Sequence, residues 1–125
     1  MVVRSLGDLE QVVMDRIWAG GRATTVREVL EDLQSDRPLA YTTVMTVMDN
    51  LHSKGLLTRE KDGRAYLYRA VETREQYTAS IMGDVLAGAD DRTTTLVHFL
   101  EQMDPDEVAR LREALDGRRT PDARP

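Results

Sequence analysis

The chain has 125 residues, suited to one or two small domains, and a formal net charge of −5 from 17 basic and 22 acidic side chains. The absence of cysteine excludes disulfides, thiol catalysis and thiolate metal sites, and is typical of a cytoplasmic protein. No apolar run approaches the roughly 18 residues of a membrane span, and the opening "MVVRSLGDLE" turns acidic too early for a signal peptide. The acidic balance does not favour nucleic-acid binding, although a whole-chain sum can hide a basic surface.

The first 55 residues contain three segments with the periodicity of amphipathic helices. In the first, apolar residues recur at helical spacing up to a Gly20-Gly21 stop. The second begins at Thr25, where Glu28 follows three residues later as in a capping box, and "SDRP" ends it. The third covers residues 40–55 and closes at Gly55. The apolar positions of the first two helices are Leu6, Leu9, Val13, Ile17, Val26, Val29, Leu30 and Leu33.

The segment from residue 56 to residue 71 changes to the two-residue alternation of β-strands. Its two runs are rich in Thr, Tyr and Leu, and they flank Asp62-Gly63, a strong signal for a two-residue hairpin turn. Three helices followed by a hairpin predict a winged helix-turn-helix domain over residues 1–72. The predicted fold class is therefore mainly α with a β-hairpin.

Helical periodicity returns after residue 72. Thr73 and Gln76 match a second capping box, and Asp104-Pro105 places an N-cap before a proline at the first helical position. We expect Gly117 to end the last helix and residues 118–125 to form a disordered tail. Three short amphipathic helices in residues 73–117 make a poor core alone, so we expect them to form a helical homodimerisation domain. The candidate dimerisation residues are Ile81, Val85, Leu96, Phe99, Leu100, Leu111 and Leu115.

The third helix, "AYTTVMTVMDNLHSKG", has two contrasting faces. Val44, Val47, Met48 and Leu51 follow the i, i+3, i+4, i+7 pattern, so we expect them to pack inward. The opposite face is short, polar and nearly uncharged, whereas an ordinary solvated helix favours Glu, Lys and Gln. Its residues are Thr42, Thr46, Asp49, Asn50 and Ser53, with Thr43 and Met45 on the flanks. Small hydroxyl and amide groups allow a close approach to base edges in a DNA major groove; alternatively, they are ordinary tolerated surface residues.

Basic residues surround the predicted hairpin turn. Arg59, Lys61, Arg64 and Arg69 are candidate phosphate contacts, with Lys61 and Arg64 as the main candidates. The alternative is that they are solvated edge charges that block sheet aggregation. Six basic and four acidic residues lie between Arg37 and Glu72, which gives this part of an acidic protein a weakly positive balance.

With these elements in place, the sequence resembles the BlaI/MecI family of bacterial repressors. The resemblance lies in "LGDLEQVVMDRIW", "TVREVLEDL", "AYTTVMTVMDNLHSKGLL", "DGRAYLYRAV" and "LVHFLEQM", which occur in this order within residues 6–116. It implies a dimeric winged-helix repressor that binds a palindromic operator in double-stranded DNA, with half-sites like TACA/TGTA. It also implies that Thr42, Thr43 and Thr46 face DNA. Some relatives carry more basic residues in this helix, so Met45 and Asn50 indicate a different set of contacts.

The resemblance further implies a mechanism of release. In relatives with a known switch, a protease linked to a membrane sensor of β-lactams cleaves an Asn-Phe bond in the middle dimerisation helix. The matching pair here is His98-Phe99, where Phe99 fits the pattern and His98 departs from it. The alternative is that both residues only fill the dimer interface.

Other functions find little support in the sequence. His52 and His98 are the only histidines, too few for a metal cluster without carboxylates, and we expect no metal or other cofactor. The related copper-responsive repressors carry C-terminal cysteine pairs, which this chain lacks. No nucleophile–base pair or phosphate-binding glycine loop indicates an enzyme. The remaining alternative is a winged-helix protein-interaction module without DNA binding.

Overall fold

The computed structural model describes residues 6–119, which form six helices and a two-stranded hairpin. The elements are α1 (Asp8–Gly20), α2 (Val26–Gln34), α3 (Tyr41–Ser53), β1 (Leu57–Asp62), β2 (Ala65–Ala70), α4 (Arg74–Leu86), α5 (Arg92–Glu101) and α6 (Pro105–Arg119). The predicted fold class, mainly α with a β-hairpin, is confirmed. The contacts separate two compact units, residues 6–84 and 85–119, and each is described by itself below.

Local hydrogen bonds set the ends of α1 and α2. Gly21 follows α1 with φ 69°, a left-handed conformation that glycine adopts without strain, and its N–H donates to the Ile17 carbonyl. At the start of α2, the Glu28 N–H donates to Thr25 Oγ1 over 3.1 Å and the Thr25 N–H donates to Glu28 Oε1 over 3.0 Å. The capping box predicted at this position is therefore confirmed.

The cap makes a pH-dependent contribution to stability. The backbone N–H of Thr25 and then the Thr24 hydroxyl, both donating to Glu28, hold the pKa of that carboxyl below its usual range. Because this pKa is lowered by folding, the stabilisation is fully present above the pKa of the unfolded chain. It is lost as the pH falls through the lowered value.

The core of the first unit lies between the three helices and the hairpin. All four apolar residues predicted for α2 are buried, and Val44, Met48 and Leu51 of α3 are completely buried. Val47 is half-buried and packs against this core. The core consists of Val13, Met14, Ile17, Val26, Val29, Leu30, Leu33, Val44, Met48, Leu51, Leu57 and Tyr68. The predicted inward faces of the helices are thus confirmed, with Leu6 and Leu9 half-buried at the edge.

The hairpin turn falls one residue later than predicted. Strands β1 and β2 are antiparallel, and Asp62 pairs with Ala65, so the two-residue loop is Gly63-Arg64 rather than Asp62-Gly63. Gly63 has φ 68° and occupies the first loop position. Tight hairpin turns require a positive φ there, and glycine is the residue that provides it most easily.

The hairpin is joined to the helices by a third short segment, which no pattern in the sequence indicates. Thr24, between α1 and α2, pairs with Tyr68 in the antiparallel sense. The Thr24 N–H donates to the Tyr68 carbonyl over 3.0 Å, and the Tyr68 N–H donates to the Thr24 carbonyl over 2.8 Å. Both edges of β2 are therefore hydrogen-bonded, which fixes the hairpin beside the helices.

The first turn of α4 packs on α1. The predicted capping box is confirmed, since the Gln76 N–H donates to Thr73 Oγ1 over 3.0 Å and the Thr73 N–H donates to Gln76 Oε1 over 2.9 Å. Tyr77 is buried, with its ring 5.5 Å from that of Trp18. Arg74 Nη1 lies 2.7 Å from Asp15 Oδ1. The first compact unit therefore continues to residue 84, and the functional division at residue 72 stays a prediction.

In the second unit, Asp91 caps the start of α5, and its Oδ1 accepts from the Thr94 N–H over 3.0 Å. Helix α6 continues through Gly117 to Arg119, so the predicted stop at Gly117 is wrong. Glycine weakens a helix by about 1 kcal/mol relative to alanine but ends it only where the chain takes a left-handed turn. Gly117 is not among the positive-φ glycines. The first two residues of the predicted tail are thus helical, and residues 120–125, like residues 1–5, lie outside the described part.

No helix within residues 6–119 combines the length and apolar character that a membrane crossing requires.

Candidate nucleic-acid interface

The outer face of α3 is exposed along its length. Beneath it, Val44, Met48 and Leu51 are 0% exposed, whereas Met45 between them is 42% exposed. Every α3 residue predicted to contact DNA lies on the exposed side: Thr42, Thr43, Met45, Thr46 and Asn50. Because the opposite side is anchored in the core, α3 presents these short side chains on a rigid support.

The amino end of α3 has no side-chain cap. Ala40 precedes the helix with an extended backbone and makes no side-chain hydrogen bond to the first turn. Thr43 is therefore a helical residue rather than the N-cap. The amides of an uncapped first turn suit an anion such as a backbone phosphate. Next to this end, the Arg27 guanidinium of α2 lies 5.4 Å from the Tyr41 ring.

The four basic residues of the hairpin do not form one cluster. Lys61 near the end of β1 and Arg64 in the loop are exposed at the tip, as predicted for phosphate contacts. Arg69 lies opposite Thr58, on the other face of the hairpin from Lys61, because side chains alternate along a strand. It lines a groove with Trp18 and Arg74, away from the tip.

Arg59 is the second exception among these cations. Its Nη1 lies 2.7 Å from Asp49 Oδ1 of α3 and 3.4 Å from the Tyr68 hydroxyl. Its guanidinium carbon lies 4.3 Å from the centre of the Tyr66 ring. Arg59 is thus engaged by α3 and by Tyr68 within the chain, and its predicted phosphate contact stays a prediction. The sequence indicates neither the register that places Arg59 opposite Tyr68 nor the approach of β1 to α3.

The residues predicted for dimerisation are mostly uncovered within the single chain. Ile81 and Leu100 are half-buried, and the other five are between 40% and 55% exposed. Those five are Val85, Leu96, Phe99, Leu111 and Leu115. His98, of the predicted cleavage pair, is exposed, and its Nδ1 lies 3.2 Å from Glu101 Oε1. His98 makes no metal cluster, since no group of three or more His, Cys, Asp or Glu within residues 6–119 could hold an ion.

A helix-turn-helix with an exposed, small-residue second helix and an adjacent basic hairpin defines a winged-helix DNA-binding protein. The penicillinase repressor family matches residues 6–117 of the chain. Over 113 residues, the chain is 47% identical to the transcriptional regulator BlaI of Mycobacterium tuberculosis, an alignment that covers 88% of this chain and 82% of that protein. It is 26% identical over 117 residues to the methicillin resistance regulatory protein MecI of Mammaliicoccus sciuri, covering 89% of this chain and 93% of that one.

A solved structure gives the same result. The DNA-binding domain of the repressor BlaI, determined in solution, superposes with a TM-score of 0.52 and 26% identity, covering 61% of this chain and 92% of that domain. The chain belongs to the penicillinase repressor family. It is a transcriptional repressor that binds DNA, and the family is not one of enzymes. The predicted resemblance is thus confirmed, and the alternative of a module without DNA binding is set aside.

Proposed function

We propose that this repressor acts in the cytoplasm as a homodimer on a palindromic operator, with one α3 helix in the major groove of each half-site. The observation that carries the proposal is the exposed face of α3, whose threonines and asparagine lie over a completely buried apolar face. Lys61 and Arg64 at the hairpin tip supply cations for the neighbouring phosphates.

The side chains of α3 match the chemistry of base edges. Thr42 and Thr46 offer a hydroxyl that can donate or accept and a methyl group that packs on the thymine methyl. Asn50 can bond N6 and N7 of adenine in a bidentate manner. Met45 adds an adaptable apolar contact. Because none of these side chains is long, the helix backbone can lie deep in the groove.

The second unit supports the dimer. Five large apolar side chains there or at its border, Val85, Leu96, Phe99, Leu111 and Leu115, are between 40% and 55% exposed. Exposed apolar residues in such number on a short helical segment are typical of a protein–protein interface. A second copy, related by a two-fold axis, would present the same residues in return. Two identical DNA-binding units joined in this way require an operator with the same two-fold symmetry.

Footprinting on operator DNA tests the proposal. We expect two protected half-sites separated by about one helical turn, or a multiple of it, because each subunit places one α3 in the major groove. Protection of a single, unpaired half-site at saturating protein would contradict the dimeric arrangement.

We predict different roles for α3 and the hairpin tip. Thr42→Ala or Thr46→Ala should cost about 1–3 kcal/mol of binding free energy on the operator and little on random DNA, because threonine contacts bases. Lys61→Ala or Arg64→Ala should weaken binding to both DNAs alike and lower the salt slope by about one, because these residues contact phosphates. Thr58→Ala, which changes an exposed threonine on the face of the hairpin opposite Lys61, is the matched control and should leave both affinities unchanged. Equal losses for all four substitutions on both DNAs would contradict this division.

We infer that the region around His98-Phe99 is the regulatory cleavage site, recognised by a sensor-linked protease in a β-lactam response, as the resemblance implies. Both residues are exposed in α5, and a cut between them would detach α6 with Leu111 and Leu115 from the rest of the chain. The loss of this apolar surface would weaken the dimer and, with it, operator binding.

Mass spectrometry of the repressor from cells treated with a β-lactam tests the cleavage. We expect a new N-terminal fragment that ends at His98, and a His98→Asn variant, which restores the residue of the relatives, should be cut at least as readily. An intact chain in cells whose target genes are induced would show that release follows another route and that His98 and Phe99 only fill the interface.

A further inference from the structure

Arg59 connects the hairpin to the DNA-facing side of α3. Three groups hold its guanidinium: the Asp49 carboxylate at 2.7 Å, the Tyr68 hydroxyl at 3.4 Å and the Tyr66 ring at 4.3 Å. Tyr68 is itself buried and hydrogen-bonded to Thr24 through the backbone. Arg59 therefore stands opposite a strand residue that is hydrogen-bonded on both edges, and its side chain reaches across to α3.

Asp49 is the acidic partner that makes this contact significant. It is the only acidic residue between Tyr41 and Ser53, and it lies on the outer face of α3 beside Asn50. Its side chain is 55% exposed even though it forms the ion pair. An unpaired carboxylate there would face the phosphates of DNA and repel them. Arg59 supplies the compensating charge from a neighbouring element.

The contacts around Arg59 also restrict its geometry. A planar guanidinium can bond a carboxylate at its edge while its face packs on an aromatic ring, which the compact ammonium of lysine cannot reproduce. Lys61 lies 5.4 Å from the same Tyr66 ring, so the two cations share one aromatic platform. The contacts of Arg59 with Asp49, Tyr68 and Tyr66 thus link α3 to the hairpin.

We propose that Arg59 is a positioning residue: it fixes the hairpin against α3 and neutralises Asp49. The base contacts of α3 and the phosphate contacts of the hairpin tip can then form together on the same DNA site. The inference rests on the proposed mode of operator binding. Arg59 itself contacts neither a base nor a phosphate. Without Arg59, α3 and the hairpin would still bind DNA, but the ratio of operator affinity to random-DNA affinity would fall.

The test compares Arg59→Ala, the double variant Arg59→Ala/Asp49→Asn and Arg59→Lys in the full chain, by fluorescence anisotropy on operator and random DNA across a salt series. Arg59→Ala should lower the ratio of operator to random affinity about tenfold, the equivalent of one base contact. It should also weaken binding to random DNA, because Asp49 is left unpaired. The double variant should restore random-DNA affinity without restoring the ratio, and Arg59→Lys should retain random-DNA affinity with a reduced ratio.

The matched control is Arg110→Ala, which removes one exposed cation from α6, outside α3 and the hairpin, and should leave the ratio unchanged. Thermal unfolding should change little in every variant, since exposed ion pairs contribute modestly to stability. The proposal is overturned if the double variant binds random DNA as weakly as Arg59→Ala with a salt slope lower by about one, because Arg59 would then contact a phosphate. An unchanged ratio in Arg59→Ala also overturns it. Failure of the proposed function would appear differently, as a wild-type protein that does not prefer the operator.

Discussion

A fragment ending at Asp84 is expected to fold as a monomer and to bind the operator about 100- to 10,000-fold more weakly than the full chain. The full dimer binds its second half-site as an intramolecular event, at an effective concentration that the fragment lacks. The fragment retains the helix-turn-helix, the hairpin and the contact of Tyr77 with Trp18. Its affinity for a single half-site should therefore equal that of one subunit.

Analytical ultracentrifugation and binding to whole and half operators measure this effect. A shorter fragment ending at Val71 is an informative comparison, because it also removes Arg74 and Tyr77 from the surface of Trp18. It should unfold at a lower temperature than the fragment ending at Asp84. A dimeric 1–84 fragment, or one that binds the whole operator as tightly as the full chain, would place dimerisation outside residues 85–119.

Substitution by alanine should affect stability at one methionine of α3 and DNA binding at another. Met48 is 0% exposed in the core, so Met48→Ala should lower the free energy of unfolding by about 2–5 kcal/mol through lost contacts and a cavity. Met45 is exposed, so Met45→Ala should change stability by no more than about 0.5 kcal/mol and instead weaken operator binding.

Urea denaturation, with anisotropy on the operator at a temperature where both variants are folded, separates the two effects. The ratio of operator to random affinity should be kept in Met48→Ala and reduced in Met45→Ala. Comparable destabilisation by both substitutions would show that the assignment of the two faces of α3 is wrong.

Features that depend on neighbouring residues could be predicted from the sequence. The capping boxes at Thr25 and Thr73 need only a partner three residues away, and both form. Helical periodicity alone places Met48 on the buried face of α3 and Met45 on a flank of its outer face, and the exposure of the two side chains agrees with both positions. Glycine was less informative: Gly21 ends a helix and Gly117 does not, because glycine permits a left-handed turn without requiring one.

Features that join distant parts of the chain were not predictable. The Arg59–Asp49 pair, the packing of Tyr77 on Trp18 and the pairing of Thr24 with Tyr68 each depend on how separate elements pack. None of the residues involved has a pattern in its own segment that indicates its partner. As a result, sequence patterns alone group Arg59 and Arg69 with the cations of the hairpin tip. In the structure, Arg59 is bonded to Asp49 of α3, and Arg69 lies on the opposite face of the hairpin.

The junction of α1 and α4 also contains an intrinsic fluorophore. Trp18 is the only tryptophan in the chain, its indole N–H donates to the Glu72 carbonyl over 3.0 Å, and the Arg74 guanidinium lies 5.1 Å from its ring. Since indole emission depends on local polarity and nearby charge, the intrinsic fluorescence of the unlabelled protein reports on this one junction. Loosening of α4, whether by heat, by DNA or by proteolysis, would shift the emission to longer wavelength, and its time course could be followed without any dye.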